Sequence, residues 1–195
     1  LDYFQSFLFF IFGISWQSYV LQSSIINAIL TLATYFVLKK FNLDLSLCFF
    51  FALLFSILAY PSSGTPFVDH HSALFSLLGV YFCLLAIKTE KKIFYILFPL
   101  CLGFAFLSKI VPSSYIIFLV GIITVLYFLI NKKITPLKYL ITTTFIFVII
   151  FFIILKLQGI TILSFLIQYI LHPLTVGDDR LGSLDLTFSK IILHF

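Results

Sequence analysis

The stretch Thr65-Pro-Phe-Val-Asp-His-His-Ser-Ala-Leu-Phe75 places one acid and two imidazoles where a long apolar segment begins. Small or polar residues then recur every three or four positions: Asp69, Ser72, Ser76, Gly79 and Cys83. This spacing predicts a helix that turns a small-residue stripe towards other helices. An ionisable group at a membrane boundary is costly to hold there, so Asp69, His70 and His71 are candidate site residues. The alternative is that Asp69 only caps the helix, with the histidines among lipid headgroups.

The composition predicts an integral membrane protein. The chain is 62% hydrophobic and only 10% charged, with 27 Phe, and it contains long apolar runs. We therefore expect an all-α, polytopic bundle of about six transmembrane helices plus short interfacial helices. The net charge of +5 comes largely from lysines in short loops, a pattern that indicates topology, so the expected partner is the lipid bilayer and not nucleic acid. The three cysteines show no metal-ligand spacing and are interpreted as small apolar residues.

The apolar runs define the expected spans. They cover about 18–38, 45–59, 66–88, 93–107, 112–130 and 139–155, and we expect Pro99 to break the fourth. Residues 1–14 are too short to cross ~30 Å of hydrocarbon and fit an interfacial or cut helix, whereas 160–187 fit an external short helix and loop. The first span carries a polar stripe of Ser23, Asn27, Thr31 and Thr34, which should face inwards. The sequence holds no Met, and we expect residues 1–195 to be part of one transmembrane domain truncated at both ends.

The lysines predict the orientation of the bundle. The loops after the first, third and fifth spans hold eight of them: Lys39, Lys40, Lys88, Lys91, Lys92, Lys132, Lys133 and Lys138. The other side holds four cations: Lys109, Lys156, Arg180 and Lys190. The positive-inside rule makes the first side cytoplasmic. Most residues able to do chemistry then face outwards: Asp69, His70, His71, Lys109, His172, Asp178, Asp179 and Arg180.

The outward residues suit a phosphate-bearing lipid substrate. Lys109 and Arg180 would pair with phosphate oxygens, and His70 would add a further contact. Asp69 with His70 or His71 would hold a divalent metal cation that neutralises a leaving phosphate. Adjacent histidines diverge on a helix, so at most one of them would ligate. Two plainer interpretations stay open: Lys109 as a snorkelling residue at a helix end, and Asp178–Arg180 as a solvated turn.

One segment resembles a known family. Gly103-x-Ala105-x-Leu107-x-Lys109 followed by Pro112 is similar to the Gly-x-Ala-x-x-x-Lys-x-x-Pro segment of GT-C membrane glycosyltransferases. The order of elements from the Phe12-Gly13 pair to the Asp69-x-x-x-x-Leu-Phe pattern also resembles that superfamily, especially the protein O-mannosyltransferase and lipid A aminoarabinose transferase group. About 1–131 takes part in the resemblance.

The resemblance implies an enzyme that moves a sugar from a polyprenyl-phosphate carrier to a glycan, lipid or protein acceptor. The transfer would occur on the periplasmic face of a bacterial inner membrane. The family's catalytic base lies in an external loop expected upstream of Leu1, and Asp2 is a poor substitute for it. Asp69 corresponds to a supporting or cation-related acid, and Lys109 to the lysine at the external helix end. No role carries over to Arg180.

Three rival functions stay open. An envelope polysaccharide flippase or polymerase would also need outward cations and a lipid groove, although the chain has one arginine where a polymerase is expected to have several. A secondary transporter should show inverted repeats and charges at mid-membrane, and the sequence shows neither. The third rival is a structural membrane subunit.

Overall fold

A computed structural model describes residues 2–59 and 68–172, with side chains from Gln5 to Ala59 and from His70 to His172. Every regular element in these ranges is helical, which confirms the predicted all-α class. The helices are α1 (Asp2–Phe12), α2 (Trp16–Lys40), α3 (Leu45–Leu58), α4 (Val68–Thr89), α5 (Lys92–Ser108), α6 (Ile110–Ile130), α7 (Ile134–Leu157) and α8 (Ile162–Phe165), which continues as a π-helical segment over Leu166–Leu171.

The lengths of the helices confirm the membrane class and refine the number of spans. Within the described residues, four helices are long and apolar enough to cross a bilayer: α2, α4, α6 and α7. The other two predicted spans, α3 and α5, have 14 and 17 residues. At 1.5 Å per residue they reach about 21 and 26 Å, less than the ~30 Å hydrocarbon core. The 11-residue α1 is a separate short helix, as expected for residues 1–14.

Pro99 does not break its helix, so that prediction was wrong. The helix α5 runs through Pro99 from Lys92 to Ser108. A proline removes one backbone hydrogen bond, but membrane helices tolerate this where neighbouring helices hold the segment in place. Such support exists, because α5 packs along α4.

The chain divides into two compact units, Leu1–Phe147 and Val148–Phe195. The largest core of the first unit joins α4, α5, α6 and the start of α7, and its buried residues are Cys83, Ala86, Tyr95, Phe98, Leu102, Phe128 and Leu140. A smaller core joins α2 to α4 through Ile26, Leu30 and Leu74. In the second unit, the end of α7 packs against the short helix that follows it, where Phe151 and Phe165 meet with their ring centroids 5.1 Å apart.

Candidate functional site

The helices α4 and α5 pair antiparallel in one constant register. Tyr95 donates to the Ala86 carbonyl at 3.0 Å, and Gly79 lies against Leu102. Seven residues further along each helix, the Ser72 hydroxyl reaches the Lys109 carbonyl at 3.5 Å. This register therefore carries the end of α5 to the start of α4.

The helices α2 and α4 run parallel and share a line of polar contacts. The Gln22 amide nitrogen lies 2.7 Å from His71 Nε2, and both side chains are buried. Further along, the hydroxyls of Thr34 and Tyr81 are 2.8 Å apart. The inward polar stripe predicted for the first span is confirmed at three positions, since Ser23, Asn27 and Thr34 are all buried. Interhelical hydrogen bonds of this kind hold membrane helices together where lipid offers no polar partner.

Lys109 forms the junction between α5 and α6. Its backbone is extended, with φ −159° and ψ 132°, so it ends one helix and precedes the next. Its carbonyl accepts a hydrogen bond from the Ser113 hydroxyl, and Ser113 is fully buried. Val111 is also extended, so the regular part of α6 begins at Pro112, as predicted. The backbone of Lys109 is thus fixed by α4 and α6 together.

These contacts bring polar residues of α2, α4 and the α5–α6 junction together at one end of the first unit. We call this group the polar cluster: Gln22, His70, His71, Ser72, Lys109 and Ser113. We call the end of the unit that holds this cluster the polar end. Three candidate site residues, His70, His71 and Lys109, therefore lie in one region of the unit. The small-residue stripe of α4 is also confirmed as an inward face, because Ser72, Ser76 and Cys83 are buried.

The two histidines have different environments. His71 is 4% exposed and its Nε2 accepts a hydrogen bond from the Gln22 amide, which places a proton on Nδ1 in the neutral ring. His70 is partly buried, and its Nδ1 has no hydrogen-bond partner. The ring centroids are 6.2 Å apart at an interplanar angle of 62°. The rings thus diverge, as expected for neighbours on a helix.

A metal site stays a prediction. Among the side chains that are described, no group of three or more His, Cys, Asp or Glu gathers in one place. The side chain of Asp69 lies outside the described residues, although its backbone belongs to the first turn of α4. The bond from Gln22 occupies the Nε2 lone pair of His71, so His71 would have to ligate through Nδ1.

The lysine-bearing turns gather at the opposite end of the first unit, which we call the lysine end. The Lys88 ammonium lies 5.8 Å from the centroid of the Phe41 ring, which joins the ends of α2 and α4. Lys133, after α6, forms a salt bridge with Glu90 in the α4–α5 turn. The hydrogen bond that Lys133 donates to Glu90 within this salt bridge raises the pKa of Lys133 above its ordinary value. The lysines of these turns thus lie at the end of the unit opposite the polar cluster, which itself contains Lys109.

Other predicted site residues fall elsewhere. Arg180, Asp178 and Asp179 lie outside the described residues. His172 follows the π-helical segment in the second unit. The three cysteines are free and buried, which fits their interpretation as small apolar residues.

Gln22 and Ser113 were not predicted from the sequence. Gln22 is 2% exposed. It precedes Ser23 and lies four residues after Ser18, and both serines are also buried. An amide inside a membrane span is itself a signal, because membrane interiors hold such groups only with partners. Ser113 follows Pro112 in the first turn, where hydroxyl side chains commonly bond nearby carbonyls.

Comparisons of the chain with family models, curated proteins and solved structures found no match.

Proposed function

We propose that this chain is the membrane part of a glycosyltransferase that uses a polyprenyl-phosphate sugar as donor. The observation that carries the proposal is the position of Lys109. Its backbone is fixed between α5 and α6 and lies beside the start of α4, which bears the two histidines. The cluster also lies away from the lysine-rich turns. The proposed location is a bacterial inner membrane, with the polar end facing the periplasm.

The chemistry asked of this cluster is stabilisation of a leaving group. An acceptor hydroxyl or amine attacks the anomeric carbon of the sugar, and the lipid phosphate leaves with its negative charge. A fixed cation beside that phosphate stabilises the charge as it develops, by about 3 kcal/mol or more in a dry site. We assign this role to Lys109 and a supporting role to Asp69. His70 and Arg180 are assigned further contacts with the phosphate.

The Gln22–His71 pair supports the same region. A buried imidazole whose Nε2 accepts a bond from a neighbouring helix is held in one orientation. We assign Gln22 a positioning role, because it contacts His71 and through it the start of α4. The acceptor can be a glycan, a lipid or a protein, since the cluster supports no choice among them.

A divalent cation belongs to this scheme only if Asp69 and His71 hold it. In that case a chelator lowers transfer, added Mn²⁺ or Mg²⁺ restores it, and Asp69→Asn removes the dependence on the cation. Transfer that is unchanged by the chelator removes the cation from the scheme and leaves Lys109 as the charge that stabilises the phosphate.

The assay follows transfer from a radiolabelled polyprenyl-phosphate sugar in membranes that contain the full protein. We expect Lys109→Ala to lower transfer by about 100-fold or more, the usual cost of one preorganised donor. The matched control is Lys91→Ala, an exposed lysine at the other end of α5, which should retain the wild-type rate. Wild-type transfer by a folded Lys109→Ala protein would contradict the assignment.

A second candidate is the movement of a polar substrate across the membrane, by a flippase or another transporter. One observation favours it: Asn27 Oδ1 and Ser76 Oγ are buried without a hydrogen-bond partner. The parallel register of α2 and α4 places these residues at the same level, deeper than Gln22 and His71. A polar path would need such groups.

The two candidates differ in one pair of variants. For a transporter, Asn27→Leu with Ser76→Ala should abolish uptake or flipping of a labelled substrate in vesicles. For a glycosyltransferase, the same pair should leave sugar transfer nearly unchanged, because neither residue belongs to the polar cluster.

A further inference from the structure

The lysine end contains a cavity that the proposed function does not use. It has a volume of about 340 Å³ and lies between the α4–α5 turn and the α6–α7 turn. The residues that matter for its chemistry are Glu90, Lys92, Tyr95, Lys132, Lys133 and Tyr139. All of them belong to the first unit.

The side chains around this cavity carry a net positive charge, and contacts within the cavity wall orient some of them. Lys133 is held by its salt bridge to Glu90. The Lys92 ammonium lies 5.8 Å from the centroid of the Tyr139 ring. Lys132 occupies the turn itself, with a left-handed φ of 53°. Three lysines against one carboxylate leave an excess of positive charge, and two of the three are oriented by contacts within the cavity wall.

Backbone donors add to this charge. The helix α7 begins at Ile134. Of the residues in its first turn that line the cavity, Ile134 and Thr135 carry a backbone N–H, whereas Pro136 has none. The first amide groups of a helix have no partner within it and carry a partial positive charge. Anions, phosphates above all, bind at such helix starts. Neither the helix start nor the lysines alone would indicate an anion site. Here both border one cavity.

Exposed isoleucines flank the cavity. Ile93, Ile130 and Ile134 are exposed by 52, 78 and 63%, respectively. They flank the two turns that form the cavity, at the ends of helices whose sides are lipid-facing in a membrane. A ligand with a charged head and a hydrocarbon tail could place its head in the cavity and its tail against these isoleucines. Topology alone would explain lysines on this face, but it requires no cavity between them.

We propose that this cavity binds a phosphate group, supplied by an anionic lipid headgroup or by a soluble phosphate. Lys92 and Lys132 provide the charge, the start of α7 provides amide donors, and Glu90 orients Lys133. Basic pockets between membrane helices on the cytoplasmic side bind anionic headgroups in this way. The proposal does not rest on glycosyl transfer, because the cavity and the polar cluster lie at opposite ends of the unit.

The test titrates the full protein in mild detergent with phosphatidylglycerol and with phosphatidylcholine, and native mass spectrometry counts the bound lipids. We expect phosphatidylglycerol to bind with preference over phosphatidylcholine. Lys92→Gln with Lys132→Gln should weaken phosphatidylglycerol binding by about fivefold for each lysine removed. Circular dichroism checks that the variant keeps its helices.

The matched control is Lys39→Gln with Lys40→Gln, two exposed lysines of the same end that do not line the cavity. If this pair weakens binding as much as the cavity pair, or if the cavity pair has no effect, the proposal is overturned. Inorganic phosphate then separates the sources of the phosphate group. Competition at millimolar concentration assigns the site to soluble phosphates, whereas bound lipid that resists it assigns the site to a headgroup.

Discussion

At the scale of single residues, the contact between Gln22 and His71 has the clearest physical consequence. Both side chains are almost completely buried, and the amide donates to the ring at 2.7 Å. A polar group inside a membrane protein is tolerated because a partner satisfies it, so each member of the pair explains the other's position. The pair joins two helices through residues that are 49 positions apart in the chain.

The substitution Gln22→Leu removes this bond. We expect it to lower the free energy of unfolding by about 0.6 to 1.7 kcal/mol, the average and the maximum measured for hydrogen bonds between membrane helices. Unfolding in sodium dodecyl sulfate measures the change. The matched control is Gln17→Leu on the same helix, where the side chain is exposed. Equal effects of the two substitutions would show that the buried hydrogen bond contributes nothing.

At the scale of elements, the close packing of α4 on α5 determines the position of Lys109 in the unit. A Cβ added to Gly79 would lie 2.7 Å from Leu102 Cδ2, so the glycine is what permits this approach. Leu102 is itself buried in the main core and has little room to move. The same register then sets Ser72 against the Lys109 carbonyl, seven residues further along each helix.

The substitution Gly79→Val should push the two helices apart. We expect a loss of about 1–3 kcal/mol in unfolding free energy, as for other overpacked contacts. In the transferase assay the same variant should also lose activity, since Lys109 moves with α5. Gly121→Val in α6 is the control, because a Cβ at Gly121 meets nothing within 4 Å. A Gly79→Val protein as stable and active as this control would refute the role given to the register.

The sequence predicted the helices well and their interruptions poorly. Composition and the lysine turns located α2 and α4, since apolar runs between charged turns leave few alternatives. The prediction failed at Pro99, because a local rule about proline says nothing of a neighbouring helix that supports the segment. The ranges predicted for α3 and α5, 45–59 and 93–107, agree with the observed helices to within one residue at each end. Their treatment as full spans did not take into account that helices of this length reach less than the ~30 Å hydrocarbon core.

The site was predictable where periodicity governs and unpredictable where two helices meet. The stripe of Ser72, Ser76 and Cys83 follows from spacing along one helix. The partner of His71 does not, because it depends on the parallel register of α2 and α4, which no local pattern encodes. Lys109 was identified as a cation of the outward face and again by resemblance, but the hydrogen bonds to its carbonyl emerged only from the packing of α4 and α6.

At the scale of the whole molecule, the first unit has two chemically different ends. One end holds the polar cluster, and the other holds the lysine turns and the cavity between them. Transfer from a lipid carrier and binding of an anionic headgroup would thus take place on opposite membrane faces. Both proposals depend on the cluster and the lysines lying on different sides of one bilayer.

Cysteine labelling tests this separation directly. The background variant replaces the three buried native cysteines, Cys48, Cys83 and Cys101, with alanine. His70→Cys and Lys40→Cys are then treated separately with a membrane-impermeant maleimide, in right-side-out and in inverted vesicles. The account predicts that the cysteine at 70 reacts only in right-side-out vesicles and the cysteine at 40 only in inverted ones. Labelling of both cysteines from the same side would contradict it.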